Sequence, residues 1–181
     1  MEDALVVRAA LPADLHLASA AAELIRAAAR EHDIAERSVE WLEAKIVHGR
    51  AAVALLGERL VGFGYWSEWE GGRFVSHSGL VVRADVRGRG IGRRLKAVLV
   101  ESSRRSFPRA TLMSLTTSPE VKAMNLRFGF HVVPLDRLTK DEAFWDGCKT
   151  CRNYAAVRAR GERCCCEGMI LEPDEADEPD G

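Results

Sequence analysis

The chain has 181 residues, 47% of them apolar, and its 26 lysines and arginines nearly balance 27 aspartates and glutamates for a net charge of -1. That length is enough for one domain with a real core, and the balance excludes a disordered chain or a protein that coats nucleic acid. No apolar run approaches a membrane span, and Glu2 and Asp3 with no apolar core behind them argue against a secretory leader, so the expected compartment is the cytoplasm.

Leu5–Ala9 reads as a first strand, closed by Leu11-Pro12-Ala13-Asp14, with Asp14 placed to cap the helix that follows. That helix, Leu15–Arg30, carries Leu17, Ala21, Leu24, Ile25 and Ala28 on one stripe. Ser38 caps a second helix over Val39–His48, stopped by Gly49. Ala51–Leu56 and Leu60–Trp69 form a hairpin around Gly57-Glu58-Arg59, and the turn Glu70-Gly71-Gly72-Arg73 leads into a third strand, Phe74–Val82. A helix over Gly90–Phe107 ends at Pro108. Ala110–Thr117 is the next strand. Ser118 and Pro119 open a helix that runs to Arg127 and is ended by Gly129, and Phe130–Leu135 is a further strand. The order β-α-α-β-β-β-α-β-α-β predicts an α/β fold with helices on both faces of the sheet, one domain over residues 1–171.

The chemistry concentrates in Leu80–Leu95, L-V-V-R-A-D-V-R-G-R-G-I-G-R-R-L. A strand runs into glycines on alternate positions, Gly88, Gly90 and Gly92, and then into a helix N-terminus. The first-turn N–H groups of a helix lack intrahelical partners, and the dipole adds positive charge there, so this geometry holds phosphate. Arg83, Arg87, Arg89, Arg93, Arg94 and Lys96 add cationic charge against a single Asp85. A P-loop is absent because no G-x-x-x-x-G-K run exists, and a dinucleotide fingerprint fails because its third glycine falls on Arg93. The pattern present is R-x-x-G-x-G, carried by Arg87, Gly90 and Gly92.

That pattern, after a strand of the form L-x-V, resembles the acetyl-CoA-binding signature of the GNAT superfamily of N-acetyltransferases. The likeness extends over about residues 5–135 and includes the late F-G-F at Phe128–Phe130. It implies a mixed, mostly antiparallel central sheet with helices on both faces. It implies acetyl-CoA as co-substrate, its diphosphate held by main-chain amides of Gly88, Arg89, Gly90, Ile91, Gly92 and Arg93. Leu80, Val81 and Val82 would pair with the pantetheine arm, and Ser118, otherwise a simple N-cap, would contact it. The implied reaction is acetyl transfer to a primary amine of a small molecule or a peptide. Neither membrane nor nucleic acid is an expected partner, and a homodimer is compatible with this reading. The alternative is a CoA-binding sensor or regulatory module with little or no transfer activity.

Acetyl transfer needs a base for the amine's proton, donors for the thioester oxygen and a proton for the departing thiolate. His77, three residues before Leu80, has an ordinary pKa suited to the first task. Glu68 and Glu70 end the preceding strand, where superfamily members often place a carboxylate. A packed strand histidine and two surface glutamates are the competing readings. The superfamily often has a tyrosine in Y-x-x-x-G-F, whereas N-L-R-F-G-F puts Asn125 there. An asparagine can hydrogen-bond sulfur or pantetheine but cannot supply a proton as a phenol does. A substitute acid such as Tyr154 is expected from the C-terminal segment, unless the thiolate leaves unassisted.

All five cysteines lie between positions 148 and 166. Cys148-Lys149-Thr150-Cys151 followed by Cys164-Cys165-Cys166 suits one tetrahedral, structural zinc. With Glu162–Leu171 as the last strand, Cys164 and Cys166 share a face with Cys165 opposite, which makes Cys148, Cys151, Cys164 and Cys166 the ligands. Reduced, disulfide-bonded or redox-sensing thiols are the alternatives. Such a site ties an inserted loop, about residues 144–166, to the sheet, and its Trp145 and Tyr154 can wall an acceptor pocket. The acidic end, Glu172–Gly181, is expected to be a solvated tail, with docking to a basic partner as the other reading.

Overall fold

The computed structural model describes residues 3–174; most of the acidic end, from residue 175 on, lies outside the described residues. One sheet runs in the order β1 (Leu5–Ala9), β2 (Ala51–Leu56), β3 (Arg59–Trp69), β4 (Phe74–Val82), β5 (Thr111–Thr116), β7 (Glu167–Leu171), β6 (His131–Val133). Every neighbouring pair is antiparallel except β4 with β5. Helices α1 (Ala18–Ala29) and α2 (Val39–Val47) bury Ala21, Ile25, Leu42 and Ile46 against Val53, Phe63 and Tyr65 on one face. On the other, α3 (Ile91–Ser106) buries Ile91, Leu95 and Leu99 against Val61, Trp66 and Leu112. Each of the larger aliphatic side chains among these contributes about 1.5–3 kcal/mol relative to exposure. Helix α4 (Pro119–Arg127) follows β5, and the short helices α5 (Glu142–Asp146) and α6 (Tyr154–Ala159) occupy the cysteine segment. No helix among the described residues is long and apolar enough to cross a membrane.

Ser38 caps α2 by accepting from Trp41 N at 3.2 Å, and Ser118 caps α4 by accepting from Val121 N at 3.3 Å, as expected. Asp14 acts differently. It lies inside a 3-10 turn, Pro12–Leu17, where its carboxylate accepts from Leu11 N at 2.7 Å and from Arg8 at 2.6 and 2.9 Å. The regular helix therefore starts later, at Ala18. The last strand also starts later than expected, at Glu167. Cys164, Cys165 and Cys166 precede it in irregular backbone, so the strand alternation that would set Cys165 apart does not apply.

Two features of β4 open the sheet. Its pairing with β5 stops after Ser76↔Met113, so the two parallel strands part toward their C-terminal ends. Its pairing with β3 slips by one residue, from Tyr65↔Ser78 to Phe63↔Val81, which is a bulge that bends the strand. Gly79 supplies the bulge with a φ of +61°, and a Cβ there would lie 2.4 Å from Tyr65 Cε1. Gly79→Ala combines backbone strain with this clash, and chemical denaturation should show a loss of about 2 kcal/mol or more.

Candidate active site

Gly90 is the residue before α3 and has a left-handed φ of +74°; Gly88 is at +84°. A side chain would be strained at either, yet a Cβ at either meets nothing within 4 Å. The glycines thus line open space rather than a packed turn. The first intrahelical bond is Arg94 N to Gly90 O, and no group among the described residues accepts from the amides of Gly88 through Arg93. Gly88, Gly90, Ile91 and Gly92 line a groove. Arg87 turns back, its Nε donating to Val82 O at 3.1 Å, and so ties the loop to the end of β4.

The groove, about 740 Å³, runs from this loop along Val82, Val81 and Leu80 to Ser78 and His77, between the parting strands and under Ser114, Ser118 and Met124. A second cavity, about 130 Å³, continues beyond β4. It is lined by Tyr65, Ser76, Ser78, Arg37, Tyr154 and all five cysteines. The two share Asp33, Ile34, His77, Ser78, Gly79 and Leu115, so they meet where the sheet splits. Asp33 bridges this junction. It accepts from Arg152 Nε at 2.7 Å, Asn153 Nδ2 at 2.8 Å and Thr117 Oγ1 at 2.8 Å, and these bonds, Arg152 first, hold its pKa below the usual carboxylate value.

The residues expected to be catalytic are distributed unevenly around the junction. His77 is buried, and Nε2 lies 3.0 Å from Ser103 Oγ on α3. Ser103 gives its own proton to Leu99 O at 2.6 Å, so His77 is the donor and its Nδ1 keeps an unpaired lone pair. Burial, with the charges of Lys96 and Arg104, pushes its pKa well below the ordinary value. Its ring faces α3, as does Trp66 opposite it. Ser76 and Ser78 alternate with it and face the second cavity. Glu68 lines neither cavity and pairs with Arg50 at 3.0 Å. Glu70, at a φ of +51°, accepts from Thr139 Oγ1 at 2.6 Å and Lys140 N at 3.3 Å, bonds that lower its pKa. Asn125 is fully buried. Its Nδ2 donates to Ser114 Oγ at 3.3 Å and Met169 Sδ at 3.7 Å, while Oδ1 has no partner. Tyr154 lines the second cavity, and Ser118 lines the groove.

One groove residue departs from its expected place. Lys96 belongs to the basic run and reads there as solvated charge, but it is 2% exposed and lines the groove. Its Nζ lies 4.3 Å from the Phe130 ring centre, and burial pushes its pKa down to about 7. The spacing Gly92, Lys96, Leu99, Ser103 is the available signal, since it puts this lysine on the stripe that faces the sheet.

The thiols form one cluster. The sulfurs of Cys164, Cys165 and Cys166 lie within 4.8 Å of one another. Hydrogen bonding from Cys148 and Cys166 holds the Cys164 thiol below its usual pKa and raises both donors. Burial raises Cys151. Asn153 Nδ2 donates to Cys165 Sγ at 3.3 Å, so one of the residues that hold Asp33 also touches the cluster. Four thiolates around a zinc ion at about 2.3 Å would sit about 4 Å apart. Among the described residues Cys164, Cys165 and Cys166 meet that spacing, Cys148 hydrogen-bonds Cys164, and thiol donors suit such an ion.

Solved structures share this fold. N-acetylglutamate synthase from Neisseria gonorrhoeae, complexed with coenzyme A and N-acetyl-glutamate, superposes with a TM-score of 0.68 at 19% identity over 95% of this chain. The chain spans only 36% of that enzyme. The yncA protein of Salmonella typhimurium, with its cofactor acetyl-CoA, gives 0.67 at 20% identity and covers 98% of this chain and 99% of its own. Rv2747 from Mycobacterium tuberculosis, in complex with CoA, gives 0.65 at 19% identity, covering 92% and 98%. No curated protein matches the chain significantly. The family model described as Acetyltransferase (GNAT) family matches residues 16–130, which include the glycine turn, the split strands and Asn125. With that match over most of its length, the chain belongs to the GNAT acetyltransferase family, whose members are acyl-CoA-dependent N-acyltransferases.

Proposed function

We propose that this protein transfers the acetyl group of acetyl-CoA to a slender primary amine that enters through the cavity walled by the cysteine segment. The observation that carries this is the row of partnerless amides from Gly88 to Arg93, opening on a groove that meets that cavity at Ser78 and Gly79. Acetyl-CoA, when bound, supplies a thioester as the acyl donor. The amides take its diphosphate, with Arg87, Arg89 and Arg93 nearby. The edge of β4 from Ser78 to Val82, left without a strand partner on that side, offers main-chain groups to the pantetheine amides, and Ser118 borders them. Ser76 and Ser78 line the path by which the amine's proton reaches water. Neither Glu68 nor Glu70 stands at the junction, because each is already held elsewhere. Tyr154 borders the amine, and Asn125 supports the floor of the groove through Ser114.

The gonococcal structure, with N-acetyl-glutamate bound, makes L-glutamate the first amine to test. A panel of L-glutamate, a polyamine and a peptide with an N-terminal alanine, with acetyl-CoA binding followed by calorimetry and thiol release by absorbance, decides the matter. The expected result is a micromolar Kd and thiol release above the amine-free rate with at least one amine. Binding without release for every amine would instead make the chain a CoA-binding module, and absence of binding would overturn both.

We also propose that Cys148, Cys151, Cys164 and Cys166 hold one structural zinc, with Cys165 beside them. A four-thiolate zinc has no open position for water, so its part is to cross-link the wall of the acceptor cavity rather than to react.

A further inference from the structure

Lys96 is a buried cation with nothing to answer it. Among the described residues its Nζ makes no hydrogen bond and no ion pair, and its neighbour is the face of Phe130. It stands four residues into α3 from Gly92, about 6 Å along the axis from the diphosphate cradle, on the side that faces the parting strands. The groups around it carry no negative charge. Strand β4 presents neutral His77, α3 itself adds the charge of Arg104 at His77, and the residue preceding β6 presents the Phe130 ring. The acids of the groove, Glu31, Asp33 and Glu120, line it elsewhere: Asp33 is held by Arg152, and Glu120 accepts from Ser118. Two fully buried polar atoms among the described residues lack partners, His77 Nδ1, whose ring lies 6.1 Å from Phe130, and Asn125 Oδ1.

Resting on the acetyl-transfer reading, we infer that Lys96 is the proton donor to the CoA sulfur, the task left open by the asparagine at position 125. The amine nitrogen attacks the thioester carbon, the C–N bond forms and the C–S bond breaks with its electron pair on sulfur. Lys96 gives one Nζ proton to that sulfur, and the proton lost by the nitrogen goes to water. Lys96 regains a proton from groove water once CoA leaves, so charge and atoms balance over the cycle.

The fold is weakened by this residue. Burial lowers the lysine pKa, so the charged form is disfavoured in the folded state. The destabilisation is full below about pH 7, the folded value, and fades as pH rises toward the unfolded value near 10.

The test compares wild type with K96M, and with K96Q as the variant that keeps a polar end. Free K96M is expected to melt at higher temperature than wild type at pH 6, with the gap narrowing by pH 9. In protein labelled with 13C at lysine Cε, the Lys96 signal, identified by its loss in K96M, should titrate near pH 7 and shift more on adding CoA than on adding desulfo-CoA. With the fastest amine of the panel, K96M should lose about 10²–10⁴-fold in kcat while its Kd for acetyl-CoA changes little. Equal shifts with CoA and desulfo-CoA would overturn the assignment. So would a weakened acetyl-CoA Kd at unchanged kcat, or one acetyl group found on Lys96 by mass spectrometry. If wild type binds CoA but acetylates nothing, the transfer reading fails, and the comparison of CoA with desulfo-CoA still decides whether Lys96 meets the sulfur.

Discussion

Gly90→Glu is expected to abolish acetyl-CoA binding while leaving the fold in place. The two effects separate because of where position 90 points. A Cβ there meets no protein atom within 4 Å, so the substitution breaks no packing. Its φ of +74° costs a side chain about 1–2 kcal/mol, which a domain of this size survives with a modestly lower Tm. In the groove the new carboxylate takes the space of the diphosphate and repels it. Hydrogen bonds to charged groups contribute about 1.5–3 kcal/mol each, so losing two of the amide contacts weakens binding by about 3–6 kcal/mol, or roughly 10²–10⁴-fold in Kd. Calorimetry with acetyl-CoA, beside circular dichroism of the free protein, checks both halves. A folded variant that binds as wild type does would remove the cradle from the site.

Cys151→Ser is expected to take metal content from about one zinc per chain to none and to loosen the segment that walls the acceptor cavity. The first half of the segment has other anchors: Arg37 donates to Gly147 O at 3.0 Å, Thr150 Oγ1 donates to Glu36 O at 2.9 Å, and Asp33 holds Arg152 and Asn153. Its α5 is held by buried Trp145, whose Nε1 donates to Thr139 O at 2.9 Å, and its α6 contributes a single buried side chain, Val157. Hydrogen exchange should therefore show lost protection mainly across residues 154–166, where α6 has one buried side chain, with β3 and β4 unchanged. Acetyl-CoA binding should persist, because no cysteine lines the groove, while transfer to the amine falls. Protein purified without chelator that carries no metal and keeps its segment ordered would end the zinc proposal.

Local signals were legible where one segment does the work alone. The strand Phe74–Val82, the caps at Ser38 and Ser118 and the glycine turn all stand at their expected places because turn chemistry and periodicity are written within a few residues. The family likeness rested on that same turn. Parts of the site built from distant segments were not legible. Glu68 and Glu70 end a strand beside the split, but Arg50 and Thr139, from elsewhere in the chain, occupy them. Asp33, Arg37 and Tyr65 line the acceptor cavity only because the sheet order brings them there. Lys96 was hidden by its neighbours, since a lysine after two arginines reads as a solvated run until its helical position is weighed against Gly92 and Leu99. Strand alternation would set Cys165 apart from its neighbours, but irregular backbone lets three consecutive sulfurs converge.

Asp33 has a bearing on how the protein becomes competent. Its carboxylate holds Arg152 and Asn153 across 119 and 120 residues of chain. As the polypeptide leaves the ribosome, the glycine turn and the start of α3 emerge well before the segment that lines the second cavity. The cavity beyond β4 waits for residues 144–166 to arrive and be clasped. A C-terminally clipped molecule would thus keep the glycine turn and lose that chamber's wall.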